Sequence, residues 1–186
     1  MTLALKRMSE AEFLEWCQHQ EGRWEPVGGE PLQMMAGTTQ RHDIVTRNIL
    51  RALERRLDGG SCRPWTDDVA SRMMTGNIRR PDVTVDCGPI QPDSMLSSEP
   101  AAFFEVLSPS TEPLDLLDKA DEYRQLPSLR LYVIVDPKRF RVKAYVRAET
   151  GWTVSDIIGA DSVVTLNGLG EELTFAEIYR GVPFDA

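Results

Sequence analysis

Apolar and polar positions along this chain follow two rhythms, and the changes of rhythm mark its elements. From about residue 40 to 58, Ile44, Ile49, Ala52, Leu53 and Leu57 recur at helical spacing, and Gly59 stops the run. Arg47, Arg51 and Arg55 repeat every four residues on another face of that helix. Nearer the start, Ser9 followed by Glu12 forms a capping box that predicts a short helix over "AEFLEWC". "RWEPVGGEPLQMM" reads as a hairpin turning at Gly28-Gly29. After the long helix come three strand-like runs, roughly 68–74, 82–87 and 101–107. A helix over about 113–125 follows, with Pro113 suited to its first turn. The apolar run "LRLYVIVD", a turn at Asp136-Pro137-Lys138-Arg139 and the alternating strand "FRVKAYVR" come next. The tail holds further short strands, and "TFAEIYRGV" closes as a helix. The central order is helix, strand, strand, strand, helix, strand. Its second helix can return the chain parallel to the strand before it. This predicts an α/β fold with a mixed central sheet flanked by helices and β additions at both ends, in one domain over residues 1–186.

Within that pattern one position is out of place. In "PAAFFEVLSPS" the carboxylate of Glu105 interrupts a strand that is apolar on both faces, so the strand should be central and covered on each side. Ala101, Phe103, Glu105 and Leu107 share one face; Ala102, Phe104 and Val106 share the other. A buried, unpartnered carboxylate costs several kcal/mol or takes up a proton, so a cation, a salt-bridging side chain or hydrogen bonds must compensate it. The preceding strand "RRPDVTVDC" carries a matching oddity, with Asp82, Thr84 and Asp86 on one face. If the two strands pair, Asp82 and Glu105 approach each other, and a divalent cation would relieve their repulsion. Magnesium suits one or two carboxylates completed by waters and phosphate oxygens. Lys119, in "LDLLDKADEY", shares a helix side with Leu116 and Tyr123 and so leans toward the buried face. An exposed pair with Asp115 is the alternative reading.

Composition narrows the field. The 186 residues are 41% hydrophobic and 27% charged, ordinary for a globular protein, and no apolar run approaches the roughly 18 residues of a membrane span. The start breaks early into charge and does not read as a signal peptide. Three well-separated cysteines, Cys17, Cys62 and Cys87, suggest reduced thiols and a cytoplasmic protein. Cys17 and His19 are neighbours, but no second Cys/His pair completes a zinc site. The net charge of −8 argues against a protein that coats nucleic acid by charge alone. Its distribution is uneven: residues 41–80 hold nine arginines against five acids, residues 129–147 six bases against one acid, and residues 81–128 ten acids against two bases. An acidic pocket between basic walls for a polyanion matches that pattern, as does an uneven solvated surface. No G-x-S-x-G elbow, Walker loop, G-x-G-x-x-G or H-E-x-x-H is present.

"RRPDVTVDC", "FFEVLSPSTEPLDLLDKADEYRQ" and "LYVIVDPKRFRVKAYV" together resemble the Uma-two family of restriction-endonuclease-like proteins, from "WEPVGGE" through to "LTFAEIY". The family resembles in turn the Mg-dependent nucleases with a Pro-Asp … Glu-x-Lys signature. The resemblance implies a restriction-endonuclease-like core, Asp82 as the metal-bridging acid and Glu105 as the second acid. The usual lysine position falls on Leu107 here, and the family resemblance implies that the lysine has moved to the following helix, at Lys119. Glu25 and Glu30 match the family loosely, as a further acid or as hairpin surface. His42 matches a histidine common in the family, with a packing histidine as the alternative.

The expected activity is Mg²⁺-dependent hydrolysis of DNA phosphodiester bonds, with Mn²⁺ as a substitute. Asp82, Glu105 and the backbone carbonyl of Val106 are the expected metal ligands, and Lys119 serves the attacking water or the phosphate. Arg47, Arg51, Arg79 and Arg80, with the segment from Lys138 to Arg147, are the expected phosphate contacts. A homodimer with one site per strand is expected by analogy. The competing expectation is a catalytically inactive module on the same fold that binds nucleic acid or protein.

Overall fold

The computed structural model describes residues 7–34, 37–108 and 113–184, with side chains in the helix after residue 112 described from Leu116 onward. The chain begins with α1 (Glu10–Cys17), the hairpin β1 (Trp24–Val27) and β2 (Glu30–Gln33), and the long helix α2 (Gln40–Leu57). Then come β3 (Arg63–Thr66), the two-residue strands β4 (Ser71–Arg72) and β5 (Ile78–Arg79), β6 (Val83–Asp86) and β7 (Pro100–Val106). The remainder is α3 (Pro113–Tyr123), β8 (Leu131–Asp136), β9 (Arg141–Arg147), β10 (Trp152–Ile158), β11 (Val163–Leu166), β12 (Glu171–Thr174) and α4 (Phe175–Ile178).

Six strands form the central sheet in the order β10-β9-β8-β7-β6-β3. Only β7 and β8 run parallel, and α3 makes the crossover between them. The sheet is mixed for that reason, as the sequence order implied. Its α2 face has an apolar centre: Val45, Ile49 and Leu53 of α2 pack on Val83, Ala102, Phe104, Val133 and Val142. Its α3 face packs Phe103, Tyr132, Ile134 and Tyr145 against Ala120, Tyr123 and Leu126. Every residue of β7 is buried, because both its faces are covered.

The local signals act as their chemistry dictates. Ser9 accepts from the Glu12 backbone, and the Glu12 carboxylate accepts from the Ser9 N–H at 2.8 Å, fixing the start of α1. Gly28 and Gly29 turn the β1–β2 hairpin at φ +60° and +81°, a conformation open to glycine without strain.

Two expectations fail. The strand anticipated at 68–74 lies earlier, at β3, while Ser71–Arg72 makes only a two-residue pairing with β5. Pro64 hides β3 in the sequence, yet a proline is tolerated there because β3 is the sheet's edge. The expectation of three reduced thiols is also corrected: Cys62 and Cys87 are joined as a disulfide, and Cys17 alone is free. The β3–β6 ladder pairs Arg63 with Asp86, so its next step sets the two cysteines opposite each other across 25 residues of sequence. A compartment inferred from reduced thiols loses that premise. Among the described residues, no helix is long and apolar enough to cross a membrane.

Candidate active site

Glu105 sits near the end of β7 on the face that meets α3. It is 9% exposed, and its Oε1 accepts from the Tyr123 hydroxyl at 2.8 Å and from Lys119 Nζ at 3.4 Å. Lys119 and Tyr123 are four residues apart on α3, so one helix face delivers both donors. Lys119 is itself buried, its stem lying along the apolar surface below. Burial pushes the Glu105 carboxyl up to about 7. The Lys119 ammonium and the Tyr123 hydroxyl hold it down, while the negative charges of Asp82 and Glu25 push it further up. Burial, with Glu105 alongside, also drives the Tyr123 phenol well above its ordinary value, so it stays a donor. The Asp115 side chain, Lys119's alternative partner, lies outside the described residues, as does part of the turn expected at Ser108–Ser110.

Asp82 stands one step before β6. Because Val83 pairs with Phe104, the next antiparallel step brings Asp82 beside Glu105. Its Oδ2 accepts the Val106 N–H at 2.7 Å and lies 3.3 Å from His42 Nε2. Asp82 keeps 21% of its side chain exposed where Glu105 keeps 12%, so solvent reaches the pair from the Asp82 side. His42 comes from the first turn of α2, which Thr39 caps by accepting the His42 N–H at 3.2 Å. Burial alone would lower the imidazole pKa; the hydrogen bond and charge of Asp82, a bond to the Val106 main chain and the charge of Glu105 together raise it above 6.5. The other ring nitrogen, Nδ1, lies 3.4 Å from the Thr46 hydroxyl. His42 is thus brought into the site rather than used only for packing.

Beneath these groups runs a buried ionic chain. Arg79 donates from Nε to Glu122 at 2.7 Å and from a terminal nitrogen to Glu25 at 3.2 Å, and all three side chains are at most 8% exposed. Glu25 also accepts the Arg80 N–H at 2.8 Å, and Glu122 accepts from Asn77 at 2.6 Å and from Thr75. Burial works against the Arg79 charge, but Glu122 and Glu25 outweigh it and raise its pKa above the ordinary guanidinium range. The expectation that Arg79 and Arg80 contact DNA is therefore corrected. Arg79 is sealed between two glutamates, and Arg80 gives its guanidinium to the carbonyls of Asp67 at 2.9 Å and Asp68 at 3.1 Å. Glu25 is a buried neighbour of Glu105. Glu30 is exposed, pairs with Arg7 at 3.4 Å and has no place in the site. Arg47, which pairs with Asp43 at 2.9 Å, and Arg51 are on the solvent side of α2.

The donors available to a cation are the carboxylates of Asp82 and Glu105 and the Val106 carbonyl. Among the described residues, no group of three or more His, Cys, Asp or Glu is placed to hold a metal. That partial, all-oxygen set fits a hard divalent ion that keeps most of its shell as water, and it does not fit zinc. Burial first, with the charges of Asp82 and Glu25 added, outweighs Lys119 and Tyr123 in keeping the Glu105 carboxyl hard to ionise. Among the described residues, the hydroxyl of Thr84, on the same face as Asp82 and wholly buried, is without a partner. The sequence reading overlooked Tyr123 as a donor, although its place four residues after Lys119 carried the signal. It also overlooked Glu122, whose role depends on contacts 43 and 45 residues away.

Two curated proteins of Synechocystis sp. align with nearly the whole chain. "Uncharacterized protein slr1290" is 29% identical over 96% of this chain and 94% of that protein. "Uncharacterized protein sll1609" is 25% identical over 86% and 92%. A crystal structure from Anabaena variabilis, described as "a putative nuclease belonging to DUF820", superposes with a TM-score of 0.76 over 92% of this chain and 97% of that one. At 14% identity that likeness establishes the shared fold. The profile of the Uma2 family, described as "Putative restriction endonuclease", matches residues 10–177. Built on that fold and matched over nearly its full length, the chain belongs to the nuclease-like Uma2 (Uma-two) family.

Proposed function

We propose that this protein is a Mg²⁺-dependent endonuclease that hydrolyses DNA phosphodiester bonds, with Mn²⁺ able to substitute. The observation that carries the reading is the convergence of Asp82, Glu105 and Lys119 at one end of β6 and β7. Asp82, Glu105 and the Val106 carbonyl are the groups that would hold the ion. When bound, it supplies Lewis-acid polarisation of a phosphate oxygen and a water of lowered pKa. Tyr123 fixes the orientation of Glu105, and His42 fixes Asp82 from the opposite side. Lys119, held against Glu105, stands where an ammonium can orient a water or stabilise charge developing on phosphate. Arg47 and Arg51 on α2, with the exposed Lys138 and Arg139 of the β8–β9 turn, are among the cations left for phosphate contact once Arg79 and Arg80 are set aside. A homodimer, one site per strand, belongs to the same proposal.

The test is cleavage of plasmid and oligonucleotide DNA with Mg²⁺, Mn²⁺ or EDTA. Metal-dependent hydrolysis that drops by about 10²–10³-fold or more in Asp82→Ala is the expected result. A second reading, a non-catalytic module on this fold, is favoured by Leu107 in the usual lysine position. It wins if no divalent ion binds and nothing is cut.

A further inference from the structure

Leu107 follows Glu105 by two residues, and beside it opens a cavity of about 310 Å³. Its walls include Leu107 after β7, Leu116 and Leu117 of α3, Ile134 of β8, and Lys143 and Tyr145 of β9. Glu105, Ile134 and Lys143 form one row across three neighbouring strands. With strands about 4.8 Å apart, the Lys143 backbone lies about 10 Å from that of Glu105. The cavity is therefore the direct continuation of the candidate site along the sheet.

Lys143 is half-buried, and among the described residues its ammonium has neither a hydrogen-bond nor an ion-pair partner. The other charges around the cavity are engaged. Asp156, opposite Lys143 in the ladder, binds Arg141 at 3.1 Å, and Asp136 accepts the Lys138 N–H at 2.8 Å. A half-buried ammonium with no partner, set into aliphatic walls, suits a ligand that is apolar at one end and anionic at the other. Tyr145 offers little stacking surface, because Tyr132 stacks against its ring and Arg124 lies over it. The base-facing walls are the leucines and Ile134, which select by size and carry no hydrogen-bond code.

We infer that this cavity binds one nucleotide of the substrate next to the scissile phosphate, its base against Leu107, Leu116 and Ile134 and its phosphate on Lys143. The inference rests on the nuclease reading and adds a substrate class to it. A volume at the small end of the roughly 300–1,000 Å³ range for ligand sites admits one unstacked nucleotide and no paired base. The substrate is then single-stranded or locally splayed DNA, read with little sequence preference.

Fluorescence anisotropy in EDTA, with a labelled 12-mer as a single strand and as a duplex, tests this without relying on cleavage. The single strand should bind at least about tenfold more tightly than the duplex. Lys143→Met should weaken single-strand binding about tenfold and leave duplex binding unchanged, as expected for loss of one charged contact. Leu117→Glu, at a residue already 55% exposed, should do the same without threatening the fold. Lys138→Met, in the turn outside the cavity, should weaken both forms equally. Duplex binding equal to or tighter than single-strand binding overturns the inference, as does a Lys143→Met effect shared by both forms. Cleavage that depends on Asp82 with binding indifferent to Lys143 leaves the nuclease and removes the subsite. Selective binding without cleavage does the reverse.

Discussion

The two faces of β7 make different use of the same burial. Toward α2, Ala102, Phe104 and Val106 join an apolar core in which each large side chain stabilises the fold by about 1.5–3 kcal/mol through removal from water. Toward α3, Phe103 packs in an edge arrangement against Tyr123, but two residues later Glu105 puts a carboxyl at the same depth. The first face is stabilised by non-directional contact and tolerates approximate shapes. The second depends on each polar group finding its partner, and the Glu25–Arg79–Glu122 chain extends that demand from β1 to α3. Burial on one side makes stability; on the other it makes a carboxyl that is hard to ionise beside one that solvent reaches.

The sharpest way to break that contrast is to damage each face in its own currency. Phe104→Ala should cost about 3–5 kcal/mol in urea unfolding, with pH making little difference, because the loss is a cavity. Arg79→Ala should cost a similar 3–5 kcal/mol by leaving Glu25 and Glu122 buried without their cation. Unlike the cavity, that loss should be largely recovered when Glu25→Gln and Glu122→Gln are added, because no buried charge is then left unpaired. A triple variant as unstable as Arg79→Ala would mean the chain acts by packing alone.

How much of this could be read from the sequence follows the same division. The apolar face of β7, the helical stripe of α2 and the crossover before β8 were legible because periodicity is local. Glu105 was legible because it violates that periodicity, and Lys119 because helix spacing puts it beside Leu116 and Tyr123. Arg79 and Arg80 were misread as surface cations, since nothing local distinguishes a basic pair that meets Glu25 some 54 and 55 residues away. The disulfide and β3 escaped for a related reason: Pro64 argues against a strand unless its edge position is known.

On the polar face, Glu105→Gln should reduce metal-dependent cleavage by about 10²–10³-fold while leaving the fold intact, since the amide keeps the shape and can still accept from Tyr123. Tyr123→Phe should be milder, about five- to tenfold in cleavage, because it removes one hydrogen bond worth about 1 kcal/mol while Lys119 remains. If Tyr123→Phe were as damaging as Glu105→Gln, the phenol would have to act on the substrate itself.

The smallest effect is a slope. In the protein without metal, Glu105 titrates near 7 rather than its ordinary 4.5, so between those values the folded protein holds a proton that the unfolded chain has released. Folding stability must then fall as pH rises through that window. His42 acts in the same direction: its pKa is raised, so its contribution is complete below 6.5 and is lost as pH climbs through the folded value. Urea midpoints measured in EDTA should therefore be higher at pH 5.5 than at pH 8. Glu105→Gln should flatten the part of that difference below about pH 7 and raise the midpoint at pH 8, where the native carboxylate is charged and buried. His42→Asn should remove the remaining slope above pH 6.5. Phe104→Ala should lower both midpoints and keep the difference between them, because the apolar face of the strand has nothing to titrate. A wild-type protein equally stable at the two pH values would mean that Lys119 and Tyr123 fully offset the burial of Glu105 and the charges of Asp82 and Glu25.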